Sequence, residues 1–315
     1  MPLSPAARSL LDMAYRVGAP RFQDLSPEQA RHSFQKLQFA FRPDAPAVAS
    51  TTEVPMARAD GSALLARLYR PLSSQPQDVL PLLIYFHGGG WCVGDVASYD
   101  VLCRQLANAS CCAVLSVDYR LAPEHPFPAA LEDAAFAFDW AITHADLLGV
   151  DVKRIALGGD SAGGNLSIVT ALSLRAAPIE PRFLLLLYPS TEINSTRASR
   201  QRYGEGYFLD FGTLQWFFEH YLPAGQSEDW RASPMRAASL AGLPPAFVLS
   251  AEFDPLVDDC AAFAQRLHAQ GVDVEYVQID GVLHGFITLG KLFPQAEQAI
   301  QAAAAALARA LAAPG

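Results

Sequence analysis

Short, wholly apolar runs alternate with longer amphipathic stretches between about Leu80 and Asp280, and this alternation carries the main signal of architecture. The runs LPLLIYF (80–86), AVLSVDY (113–119), RIALGG (154–159), FLLLLY (183–188), AFVLSAE (246–252) and DVEYVQI (273–279) are β-rich. Several are apolar throughout, as strands buried on both faces must be. Helical periodicity fills the gaps over 99–109, 128–144, 162–175, 255–270 and 295–312. Strand and helix in alternation predict a mainly parallel sheet covered on both sides, an α/β fold. Two earlier runs, TEVPMARA and ALLARLYR, flank Asp60 and Gly61 and predict a hairpin, so the sheet begins antiparallel.

Two segments break the rhythm. Residues 1–45 are amphipathic and helical without a strand partner, and 195–223 interposes YGEGYFLDFGTLQWFFEHYLP. We expect these to pack together as a cap over a body formed by residues 46–194 and 224–315. In the insertion, Tyr207, Phe208, Trp216, Phe217 and Phe218 form an aromatic cluster that can face a pocket or serve as ordinary core. Tyr207, Phe208 and Trp216 are taken as candidate substrate-binding residues.

A chain of 315 residues, 51% of them hydrophobic, suits one large α/β domain with an appendage, or two ordinary domains. The net charge of -9 argues against nucleic acid as a partner, because no basic face is there to displace counterions from phosphates. Cys92, Cys103, Cys111, Cys112 and Cys260 show neither CxxC spacing nor a metal-ligand pattern with histidine. They read as buried thiols of a cytoplasmic protein, with no metal. MPLSPAARSLLDMAYRV lacks the apolar stretch of a secretory signal, and no apolar run is long enough to cross a bilayer. The Ala-rich C-terminal stretch, broken by Arg309, reads as a packing helix, so stable membrane insertion is not expected.

The chemistry centres on IALGGDSAGGNLSIVT (155–170), in which Gly159 to Gly163 match GxSxG at the passage from a strand into a helix. Such a turn exposes Ser161 at the positive end of a helix and aims its hydroxyl, the geometry of a nucleophile elbow. A bare GxSxG match is weak, since a Gly-rich strand-to-helix turn produces the same letters. The strand and helix around it supply the specificity.

A serine hydroxyl needs a base within hydrogen-bond reach, and the base needs an orienting carboxylate, in the chain order serine, acid, histidine on this fold. Of seven histidines, only His268 and His284 follow every candidate acid. His268 falls inside a helix, whereas His284 lies in a loop just beyond a strand, beside Gly285, so His284 is the candidate base. Among Glu252, Asp254, Asp258 and Asp259, the acid is assigned to Asp254 at the strand-to-helix turn. After the strand at 80–86, YFHGGGWCVGD offers consecutive glycines whose N–H groups no side chain shields. The candidate oxyanion donors are therefore Gly88, Gly89 and Gly90 with Ala162, and His87 is read as a brace for the loop.

With HGGGW (87–91), DYRLAPEHPFPAALED (118–133), GDSAGGNL (159–166), DPLVDD (254–259) and HGF (284–286) in place, the chain resembles the hormone-sensitive-lipase-like group of α/β-hydrolases, the bacterial family IV esterases. The resemblance implies the α/β-hydrolase fold: a mostly parallel eight-stranded sheet flanked by helices, with a helical cap. It implies hydrolysis of short- to medium-chain carboxylic esters without a cofactor, through Ser161, Asp254 and His284. It also implies that Asp118, Arg120, Glu124 and His125 are structural polar groups. A homodimer is compatible with it, although no segment marks an interface. The rival from another class is a ligand-binding module, which within this group has lost the histidine kept here as His284. An amidase, deacetylase or thioesterase would use the same residues.

Overall fold

A computed structural model describes residues 2–223 and 226–312. The parts of the expected cap and body that fall on residues 1, 224–225 and 313–315 lie outside the described residues.

Eight strands form one sheet: β1 Ser50–Ala57, β2 Ala63–Arg70, β3 Leu80–Phe86, β4 Ala113–Val117, β5 Val150–Asp160, β6 Phe183–Leu187, β7 Ala246–Phe253 and β8 Val274–Leu283. Their order is β1-β2-β4-β3-β5-β6-β7-β8. The first two strands make the expected hairpin, β2 runs antiparallel to β4, and every other pairing is parallel. The helices are α1 Pro5–Arg16, α2 Pro27–Phe41, α3 Asp100–Ser110, α4 Ala129–Thr143, α5 Ala145–Leu148, α6 Ala162–Ser173, α7 Ala198–Arg202, α8 Phe211–Tyr221, α9 Val257–Ala269 and α10 Gln295–Ala310.

Both β4 and β6 are buried at every residue, the reason their sequences lack polar alternation. Likewise α6, packed between the sheet and α4, is buried from Ala162 to Leu172 and so is apolar nearly all round. At the sheet edge, β8 runs on to Leu283, beyond the expected end at Ile279. Ala251 pairs with Ile279 and Phe253 with Leu283, so two steps along β7 match four along β8. Gly281 occupies this bulge with φ 75° and donates its N–H to Glu252 at 2.7 Å. The added length brings the ends of β7 and β8 level.

The N-terminal segment and the insertion pack together. Phe22 sits 5.6 Å from the Phe217 ring and 6.2 Å from Trp216, and the Thr213 hydroxyl donates to Gln23 at 3.2 Å. One face of α2 is hydrogen-bonded to the body. Arg31 donates from Nε to the Cys92 carbonyl and from Nη2 to the Ala122 carbonyl, each at 2.9 Å, and also pairs with Glu124. Gln35 donates to Asp95 at 3.1 Å and Arg42 to the Ala97 carbonyl at 3.0 Å.

Four of the five thiols are buried, but Cys111 is exposed, which corrects the expectation for that residue. It stands at the C-terminal cap of α3 in a left-handed conformation, where the chain turns through solvent. Among the described residues no helix is long and apolar enough to cross a membrane.

Candidate active site

β5 ends at Asp160 and α6 begins at Ala162, leaving Ser161 at the bend with φ 52° and ψ -114°. That conformation is strained for a residue with a Cβ and persists only where its surroundings over-determine it. Here the Ser161 N–H donates to the Leu187 carbonyl at 2.9 Å, and the Ser161 carbonyl accepts from Ser190 N–H at 3.0 Å and Asn165 N–H at 3.2 Å. A Cβ added to Gly159 or Gly163 would overlap the Phe86 carbonyl oxygen. The flanking glycines are thus demanded by the close approach of β3.

His284 follows β8 directly. Its Nε2 lies 3.0 Å from Ser161 Oγ and its Nδ1 lies 2.6 Å from Asp254 Oδ2. A proton on Nδ1, donated to Asp254, leaves Nε2 to accept the serine hydroxyl. Asp254 is fully buried, and its other oxygen accepts the Leu256 N–H at 2.8 Å, which fixes the carboxylate plane. The Tyr188 ring packs 4.8 Å from the imidazole. The remaining candidate acids are engaged elsewhere: Glu252 with Gly281, Asp258 with the Ser199 N–H, and Asp259 with Arg197 and Arg200.

The glycine loop requires a correction. Gly88 N–H donates to Asp160 Oδ1 at 2.8 Å and is therefore already committed, not free to meet an oxyanion. Gly89 and Gly90 take φ 106° and 57°, and among the described residues the N–H groups of Gly89, Gly90 and Ala162 have no intramolecular acceptor. Asp160, buried beside the serine, also accepts from the Tyr85 hydroxyl at 2.9 Å and the Tyr99 hydroxyl at 3.0 Å. Burial pushes its pKa up, and those hydroxyls work in the opposite direction. His87 Nδ1 contacts the Gly88 carbonyl at 2.7 Å, while its own carbonyl accepts from Tyr119 at 2.7 Å. Arg120 pairs with the buried Asp133, and Glu124 with Arg31.

Ser161, His284, Gly89 and Gly90 open into a cavity of about 620 Å³ roofed by α1, α2 and the insertion. Tyr207 and Phe208 line it, whereas Trp216 does not and is corrected: its ring is buried against Phe22, Phe217 and His220. The neighbouring Phe217 lines the cavity instead, its ring lying directly over the Gly90 Cα. One step along a helix rotates a side chain by about 100°, so the aromatic run alone does not reveal which ring faces inward. A larger groove of about 840 Å³ lies at the N-terminal ends of β6, β7 and β8, by Arg182, Asp273 and Arg309, away from Ser161.

Asp160, Tyr85 and Tyr99 were not among the expected site residues. Asp160 was visible only as the variable position of GxSxG, and the tyrosines carried no local signal.

Residues 83–288 match a family described by the α/β-hydrolase fold. The ethyl acetate hydrolase of Pseudomonas putida is 37% identical over 280 residues, covering 88% of each chain. The carboxylesterase NlhH of Mycobacterium tuberculosis is 40% identical over 240 residues, 75% of each. Among solved structures, an ester hydrolase from the Lake Arreo metagenome superimposes with a TM-score of 0.93 at 41% identity, covering 98% of both chains. A hyperthermophilic esterase of Pyrobaculum calidifontis gives 0.91 at 36% identity, over 99% of this chain and 100% of that one.

Proposed function

The chain belongs to the hormone-sensitive-lipase-like esterases of the α/β-hydrolase family, and we propose that this carboxylesterase works through Ser161, His284 and Asp254. The observation that carries the assignment is the continuous relay from the Asp254 carboxylate through His284 to the Ser161 hydroxyl, with contacts of 2.6 and 3.0 Å. Ser161 attacks the ester carbonyl as His284 Nε2 takes its proton, while Asp254 stabilises the resulting imidazolium. The N–H groups of Gly89, Gly90 and Ala162 receive the oxyanion, and the proton on His284 passes to the departing alcohol. A water activated by the same imidazole then releases the acid and restores the serine.

We divide the chain into a cap, residues 1–45 and 195–223, and a catalytic body. The apolar walls of the roofed cavity favour short- to medium-chain acyl groups. The esterase names of its relatives side with ester hydrolysis over a ligand-binding role. Residence in the cytoplasm and a homodimer belong to the same proposal, the latter read by sedimentation velocity.

The test is hydrolysis of p-nitrophenyl acetate and longer homologues by the purified protein and by Ser161→Ala. Turnover should fall by several orders of magnitude in the variant. Undiminished turnover rules out this site.

A further inference from the structure

Three consecutive residues of the glycine loop take positive φ: Gly89 at 106°, Gly90 at 57° and Trp91 at 59°. The left-handed region is open to the two glycines, but it crowds the Cβ of a tryptophan and is kept there only where the surroundings impose it. Trp91 therefore needs a restraint. Its carbonyl accepts the Ala122 N–H at 2.9 Å, and its ring lies on Tyr221 with centroids 4.2 Å apart and planes within 2° of parallel.

Tyr221 is the last residue of α8, in the insertion. It is fully buried and is not among the described residues that line the cavity, whereas Trp91 is. Tyr221 is itself fixed from behind: its carbonyl accepts the Phe127 N–H at 2.8 Å, and the Phe127 ring meets it at 5.8 Å and 85°. Helix α8 touches the loop twice more, through the Phe217 ring over Gly90 and through the Phe217 carbonyl, 3.8 Å from Cys92 Sγ.

We propose that Tyr221 is a positioning residue: its stack on Trp91 holds the left-handed turn and, through it, the direction of the Gly89 and Gly90 N–H groups that receive the oxyanion. Without the stack Trp91 relaxes toward negative φ, the Gly90–Trp91 peptide rotates, and Gly90, with no side chain to resist, follows. Tyr221 does not reach the cavity, so it acts on the transition state and leaves ground-state binding alone. Its hydroxyl is buried without a partner among the described residues, so the ring carries the effect. This inference rests on the esterase assignment above.

The experiment sets Tyr221→Leu and Tyr221→Met, which remove the ring, against Tyr221→Phe, which keeps it. Each is assayed for kcat and KM on p-nitrophenyl acetate and for inhibition by hexyl trifluoromethyl ketone and by hexyl methyl ketone. On the fluorinated ketone Ser161 Oγ adds to the carbonyl carbon, its proton passes to His284 Nε2 and the carbonyl oxygen becomes the oxyanion, whereas the plain ketone binds without that bond. A ring-less variant should lose about fivefold or more in kcat with KM nearly unchanged, and should weaken the fluorinated ketone by a similar factor but not the plain one. Tyr221→Phe should behave as the wild type. A smaller kcat loss in either folded ring-less variant overturns the proposal. So does an equal weakening of both ketones, which marks a distorted pocket, or a loss in Tyr221→Phe that matches the ring-less variants, which assigns the effect to the hydroxyl. If neither ring-less variant folds, the stack belongs to stability and the proposal falls. Absence of wild-type turnover on any ester is a separate outcome, which fails the esterase assignment and takes this inference with it.

Discussion

Asp160 accepts the backbone N–H of Gly88 at 2.8 Å, tying the residue beside Ser161 to a loop 72 positions earlier in the chain. Tyr85 and Tyr99 donate their hydroxyls to the same side chain, so a single buried carboxyl group holds the start of the glycine loop. We expect Asp160 to act as a positioning residue, through Gly88 on the neighbouring Gly89 and Gly90 amides.

Replacing Asp160 separates hydrogen bonding from charge. Asp160→Asn retains an acceptor for Gly88 and Tyr85 and should keep kcat within roughly tenfold of wild type. Asp160→Ala strands three buried donors and should lower kcat by about a hundredfold while moving KM little, alongside a stability loss of about 2–5 kcal/mol. Steady-state kinetics with chemical denaturation on both variants reads the split; equal kinetics for Asn and Ala would remove Asp160 from the positioning of the loop.

Asp254→Asn should keep the fold and cost about four orders of magnitude in kcat. The amide presents N–H where the carboxylate accepted His284 Nδ1–H, so the imidazole reverses its tautomer and Nε2 can no longer receive the Ser161 proton. Burst and steady-state measurements on p-nitrophenyl acetate check this, and retention of activity above about a tenth would contradict it.

Gly90 combines φ 57° with a Phe217 ring placed where a Cβ would sit. Gly90→Ala should lower kcat by about tenfold or more and reduce the melting temperature, since the strain falls on the loop proposed to receive the oxyanion. Adding Phe217→Ala should restore part of the loss. A double-mutant cycle measures the coupling, and strict additivity would show that the ring is not the obstacle.

Arg31 holds the Glu124 carboxyl down to about 2, chiefly by their hydrogen bond. An unfolded glutamate titrates at about 4.3, so the pair stabilises the fold fully above that value and loses its contribution as pH falls through the folded one. Glu124 is half-exposed, so screening limits the effect: Glu124→Gln should lower the melting temperature by about 1–2 °C at neutral pH. The gap should close as pH drops from about 4.3 toward 2. Melting curves across that window test it, and a gap that widens with acidity would refute the ion pair as its source.

The alternation of strands and helices, the antiparallel start of the sheet, the bend at Ser161 and the candidacy of His284 and Asp254 were all legible in the chain alone. Each of these is written locally, in the period of apolar positions or in small residues at a turn, and survives without knowing what lies opposite. It took the folded sheet to match two steps of β7 with four of β8, which sets Asp254 beside His284. The fold likewise commits Gly88 to Asp160, turns Phe217 and not Trp216 to the cavity, and brings Arg31 of α2 to the Cys92 carbonyl. These are pairings between distant segments, fixed by which donor meets which acceptor once the sheet is assembled and the helices pack on it, and no local period in the chain encodes them.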